Sequence, residues 1–134
     1  MGYRVMQAGV VVALVLLLAA CGSTGGSTAF SYGGNWVGTM NDSFAGSGTM
    51  TATMAQSGSN LVGTWQATFA EGGNGGNLIG VIEGNQVILQ MNPSDPTTCP
   101  FEAVATRSGS TLSGTYAAFN CTAVITGTVS VTKQ

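Results

Sequence analysis

The sequence contains no histidine at all, and only 6% of its 134 residues carry charge. An ordinary soluble domain carries roughly 25%. Without imidazole there is no Ser-His-Asp triad, no histidine metal ligand and no imidazole proton shuttle. Lysine and arginine together number three. No basic surface tracks phosphates, so nucleic-acid binding is excluded. The five acids are scattered and form no metal-ligating cluster. Aromatic residues are also scarce, at 7%. What is abundant is glycine, with 21 residues, alongside serine and threonine.

The first twenty residues read as a targeting segment. Arg4 and the terminal amine make a positive start, and Ala8 to Ala20 form a 13-residue apolar run. That falls short of the ~20 residues that span a bilayer. A positive start, a short apolar core and small residues before a cut make a secretory signal peptide. The competing reading is a retained N-terminal membrane helix.

The run ends in Leu18-Ala19-Ala20-Cys21. This resembles the lipobox of bacterial lipoproteins. The spacing has a chemical reason: a thiol is the nucleophile that diacylglyceryl transfer needs, and small residues admit a peptidase. The resemblance implies a thioether-linked diacylglycerol on Cys21 and cleavage before it. It also implies acylation of the new amine, with palmitate as the expected chain. Two or more acyl chains hold a protein stably on a membrane. The mature chain would then start at Cys21, with 114 residues and a side-chain charge of −3. The lack of aspartate after the cysteine is similar to outer-membrane lipoproteins of cells with two membranes. The expected location is therefore the extracytoplasmic side of the cell envelope.

Residues 21–34 then form a lipidated cysteine and a tether. Gly22 to Gly34 is rich in glycine, serine and threonine, a composition of flexible linkers. Its 13 residues span on the order of 20 Å. Phe30 and Tyr32 interrupt it, with two placements open: on the domain or at the membrane interface.

Residues 35–134 carry strand signals. Threonine, valine and aromatic residues alternate between Gly/Ser/Asn clusters, and no window keeps a helical period. A short motif recurs as Trp36-Val37-Gly38-Thr39-Met40, Leu61-Val62-Gly63-Thr64-Trp65 and Leu78-Ile79-Gly80-Val81-Ile82. It returns at Leu112-Ser113-Gly114-Thr115-Tyr116 and Ile125-Thr126-Gly127-Thr128-Val129. Glycine at one place on several strands marks sharp curvature. A closed barrel is favoured over a flat sandwich. Eight strands are expected, at 35–41, 47–56, 60–70, 77–83, 86–92, 99–107, 111–119 and 122–132. The fold class is all-β, a small antiparallel up-and-down β-barrel.

Period-two alternation assigns the faces. Trp36, Met40, Met50, Ala52, Met54, Leu61, Trp65, Ala67, Phe69, Leu78 and Ile82 take the inner phase. Val87, Leu89, Met91, Phe101, Ala103, Ala105, Leu112, Tyr116, Ile125, Val129 and Val131 join them. Threonines dominate the outer phase, and Glu83 and Glu102 share it. An inverted, membrane-spanning barrel fits poorly, for want of aromatic girdles and long loops.

Gly34-Asn35-Trp36 and the later Gly63-Thr64-Trp65 and Gly114-Thr115-Tyr116 are similar to motifs of avidin-like and lipocalin-like barrels. The resemblance covers residues 35–132 and implies an eight-stranded barrel. The polar biotin contacts of avidin have no counterpart here.

With Cys21 lipidated, Cys99 and Cys121 make an even pair in an exported chain, which reads as a disulfide. A redox pair lacks both CxxC spacing and a basic neighbour. The segments Asn92 to Thr98 and Glu71 to Asn77 read as turns. Neither has the acidic spacing of a calcium loop, and no lysine follows the glycines to make a phosphate loop.

Three functions remain in view. The first is a lipid-anchored binding barrel that holds a small apolar ligand near Trp36, Trp65 and Tyr116, or contacts an envelope partner. The second is a filled-core interaction lipoprotein, a hydrolase inhibitor among its forms, with contacts from 41–48, 71–77 and 92–98. An enzyme is disfavoured by the residue inventory. No cofactor or metal is expected.

Overall fold

A computed structural model of the chain describes residues 29–134. The expected signal peptide, the lipobox-like segment with Cys21 and the first part of the expected tether lie outside the described residues. Eight antiparallel strands follow one another: β1 (Gly34–Asp42), β2 (Gly46–Ser57), β3 (Asn60–Phe69), β4 (Gly72–Glu83), β5 (Gln86–Pro93), β6 (Phe101–Ser108), β7 (Thr111–Ala118) and β8 (Thr126–Lys133). Each pairs with the next, and β1 pairs with β8, so the sheet closes into an up-and-down barrel. No helix occurs among the described residues. Closure removes the unpaired strand edges that an open sheet exposes.

The alternation places the core. Of the residues on the inner phase, all are buried except Phe69, Ile82 and Ile125, which pack half-buried against the core near the barrel's ends. The four methionines Met40, Met50, Met54 and Met91 fill space between Trp36, Trp65, Leu78 and Leu112. Flexible thioethers suit such irregular gaps. The outer phase keeps hydroxyls toward water, and some pair across strands, as Thr111 with Thr132 at 3.0 Å.

The recurring glycines have a sharper reason than curvature alone. A Cβ on Gly38 would overlap the Ser130 carbonyl oxygen, and one on Gly114 would overlap that of Val104. Neighbouring backbone crosses directly over these positions, leaving no room for a side chain.

Three strand starts differ by two residues or more from the sequence expectation. The glycine-rich stretch expected as a loop is strand, for Gly72 to Gly76 pair with Phe69 to Trp65. Glycine weakens side-chain packing, yet its backbone still donates and accepts ladder bonds, so β4 extends to match β3. Only Ala70 and Glu71 turn the chain. Conversely, β6 starts at Phe101 and β8 at Thr126. Cys99 and Cys121 therefore sit in the β5–β6 and β7–β8 loops rather than at strand ends. They are disulfide-bonded, with Cα atoms 5.7 Å apart and a sequence separation of 22.

Phe30 and Tyr32 rest on the domain. Tyr32 is 3% exposed and belongs to the core. Its amide donates to Gln56 Oε1 at 2.8 Å, and its carbonyl accepts from Trp36 Nε1 at 2.9 Å. Lys133 Nζ donates to the Ser31 carbonyl at 2.8 Å. Phe30 meets Tyr32 edge-on at 5.0 Å, with the Arg107 guanidinium over its ring at 4.5 Å. Residues 29–33 thus strap the barrel end where the chain enters.

Candidate functional site

The strand directions divide the connections between two ends. The turns at 58–59, 84–85 and 109–110 share the entry end with residues 29–33. The connections at 43–45, 70–71, 94–100 and 119–125 share the opposite, loop end. The three segments expected to carry partner contacts, 41–48, 71–77 and 92–98, all begin or end there.

Trp36, Trp65 and Tyr116 point inward, as expected from their phase, but they do not enclose a common space. Trp36 and Trp65 both register against the small Ala52 on β2. Tyr116 lies at the loop end of β7, edge-on to Phe101 at 5.7 Å. Each polar handle is engaged within the protein. Trp36 Nε1 donates to Tyr32 O, Trp65 Nε1 donates to Asn77 O at 3.1 Å, and Tyr116 Oη donates to Asp42 Oδ2 at 2.6 Å.

The internal space is elsewhere and small. A cavity of about 20 Å³ lies among Met50, Met54, Leu78, Met91, Leu112 and other apolar side chains, with none of the three aromatics in its wall. Pockets for small ligands measure roughly 300–1,000 Å³. The lining offers no polar group, so the space is dry as well as small.

The loop end carries a different feature. An open groove of about 270 Å³ has Phe69, Phe101 and Ile125 among its apolar walls, Phe44 on its rim, and Asp42 and Glu71 beside it. Phe44 is 89% exposed at the tip of the β1–β2 turn, and Val124 is 92% exposed in the β7–β8 loop. Gly72, with φ of 137°, borders the groove with no atom within 4 Å of where a Cβ would stand. That leaves the mouth open.

Asp42 organises this rim. Its Oδ1 accepts from the amides of Phe44 at 2.8 Å and Ala45 at 2.9 Å, while Oδ2 accepts from Tyr116. Partial burial pushes the carboxyl up, but the bonds from Tyr116, Ala45 and Phe44 outweigh it, and the pKa lies below the ordinary range. Burial, the bond to Asp42 and the carboxylate's charge push the Tyr116 hydroxyl far above its usual value. Both groups are locked in one protonation state near neutral pH and are poorly matched to proton transfer. Among the described residues no group of three or more acids or cysteines could hold a metal ion.

Phe44 was not singled out by sequence reading. The signal available was its setting: a lone aromatic in the turn Asp42-Ser43-Phe44-Ala45-Gly46, where no alternation gives it a core role. A scan against protein-family models and a search of curated proteins both find no match to this chain.

Proposed function

We propose that this chain is a lipid-anchored, non-catalytic barrel of the cell envelope that engages a second envelope protein through its loop end. The lipobox at Cys21 supports the anchor. The filled interior carries the choice between ligand carrier and interaction module. A cavity of about 20 Å³ cannot enclose a small apolar ligand, whereas the loop end exposes Phe44 beside an open apolar groove. Exposed aromatics beside grooves are the anchors from which protein interfaces are built. The loop end also lies opposite the end where the chain enters from Cys21, so an anchored barrel presents its loops away from the lipid.

A photoreactive benzophenone side chain at position 44 tests this in intact cells, with position 51 on the outer wall as the control. The expected result is a discrete protein adduct from position 44 and none from 51. Adducts from neither site, or equally from both, would remove the interaction reading.

A further inference from the structure

Charge is uneven along the barrel axis: four of the five acids lie at the loop end, and the fifth, Glu83, ends β4 at the entry end. Asp42, Glu71 and Asp95 lie in or beside the loop-end connections, and Glu102 is the second residue of β6 at the same end. The basic residues among those described, Arg107 and Lys133, both lie at the entry end around Phe30. The groove therefore opens into a negative field with no cation at its end among the described residues.

We infer that the groove takes one apolar side chain, aromatic or branched aliphatic, flanked by lysine or arginine on a partner protein. This rests on the loop-end interaction proposed above and adds the partner's chemistry. The volume sets the first half. About 270 Å³ is below the range of whole-ligand sites but accommodates one large side chain. Phe69, Phe101 and Ile125 give it an apolar wall to pack against. The charges set the second half. Asp42 is fixed by three hydrogen bonds, so its charge is held in place at the rim before any partner arrives. Glu71 lies beside the groove as well. Complementary charge steers encounter and rejects wrong partners. A bilayer with anionic headgroups is a poor occupant, since this end is itself anionic. A second copy of the chain is the competing occupant, because its entry end presents Phe30 between Arg107 and Lys133.

The test uses the full processed protein, labelled with ¹⁵N in detergent micelles. The probes are three capped peptides, Gly-Lys-Trp-Lys-Gly, Gly-Ser-Trp-Ser-Gly and Gly-Glu-Trp-Glu-Gly. The lysine peptide is expected to shift the amides of Phe44, Ala45 and Gly72 to Asn74. It should bind roughly two- to tenfold tighter than the serine peptide, as two exposed ion pairs allow, and the glutamate peptide should bind weakest. Glu71→Gln should lower affinity for the lysine peptide by about two- to fivefold and leave the serine peptide unchanged. Phe44→Ser should weaken both. Equal binding of all three peptides, or binding of none, would overturn the inference. So would concentration-dependent shifts at both barrel ends without peptide, which would assign the groove to a second copy. If cross-linking from position 44 succeeds while the peptides bind alike, only the charge selectivity falls. If cross-linking also fails, the interaction reading falls with it.

Discussion

Tyr116 reaches across β8 to donate a 2.6 Å hydrogen bond to Asp42, a residue 74 positions away and two strands over. Gly127 of β8 registers against both residues, and a Cβ there would overlap the Tyr116 ring. The glycine of the recurring motif thus opens a path over one strand for a bond between its two neighbours. Asp42 in turn holds the turn that displays Phe44. Tyr116, read from sequence as a pocket-lining aromatic, acts here as a strut beneath the loop end.

Removing the strut's hydroxyl tests that role. Tyr116→Phe keeps the ring and deletes the donor, leaving a partly buried carboxylate short of one partner. A hydrogen bond to a charged group contributes about 1.5–3 kcal/mol. The expected loss lies in that range, read as a lower denaturant midpoint with an unchanged slope. The amides of Phe44 and Ala45 should also exchange faster. An unchanged midpoint would show that the bond adds nothing to stability.

The same pair predicts a pH profile. Asp42 titrates below its ordinary value of 3.8, so its contribution is complete above that value and is lost as pH falls through the depressed one. Tyr116 titrates above its ordinary value of 10.0, so its contribution is complete below 10.0 and is lost as pH rises further. The stability difference between the native protein and Tyr116→Phe should be flat from about pH 5 to 9 and shrink on both sides. Denaturation series across that range measure it. A difference that changes between pH 5 and 9 would point to another titrating group.

The strand pattern was legible because a half-buried barrel forces a period of two. Met50, Ala52 and Met54 on one strand, and Ala103 and Ala105 on another, declare their face without any tertiary knowledge. The motif glycines were legible as points of curvature, but their close approach to the backbone of the adjacent strand depends on register. Gly72 to Gly76 misled because their composition signals turns, while the ladder asks only for backbone amides and carbonyls. The placement of Phe30 and Tyr32 was open because a barrel end has no period to fit. The groove was hidden for a related reason. Its walls come from β3, β6 and the end of the β7–β8 loop, which meet only when the sheet closes.

Tyr32 carries a predicted gain. Its ring stacks against Trp36 with centroids 6.5 Å apart, but its buried hydroxyl has no hydrogen-bond partner. An orphaned buried polar group costs about 1–3 kcal/mol. Tyr32→Phe should therefore stabilise the barrel by about 1 kcal/mol. For a domain of this size that raises Tm by roughly 4 °C or more. A loss of stability would mean that the hydroxyl is satisfied by water in solution.

The disulfide between Cys99 and Cys121 joins two loop-end connections that flank β6 and β7. Closing a loop of 22 positions contributes roughly 3 kcal/mol in the chain-entropy account. The double substitution Cys99→Ser with Cys121→Ser should cost about that much and leave the barrel folded, since the core lies on the strands. Thermal denaturation with and without reductant checks both halves. Intact mass should show the native protein two hydrogens lighter than the sum of its residues.

The anchor is tested at one atom. Replacing Cys21 by serine removes the thiol that diacylglyceryl transfer requires and leaves the apolar run of Ala8 to Ala20 untouched. Labelled palmitate should enter the native protein and not Cys21→Ser. Native protein should fractionate with membranes and be released only by detergent, because two or more acyl chains bind stably where one does not. A variant that still fractionates with membranes and keeps its first twenty residues would favour a retained N-terminal helix. A variant that is cleaved and water-soluble would place membrane attachment on the lipid alone, and with it the outward display of Phe44.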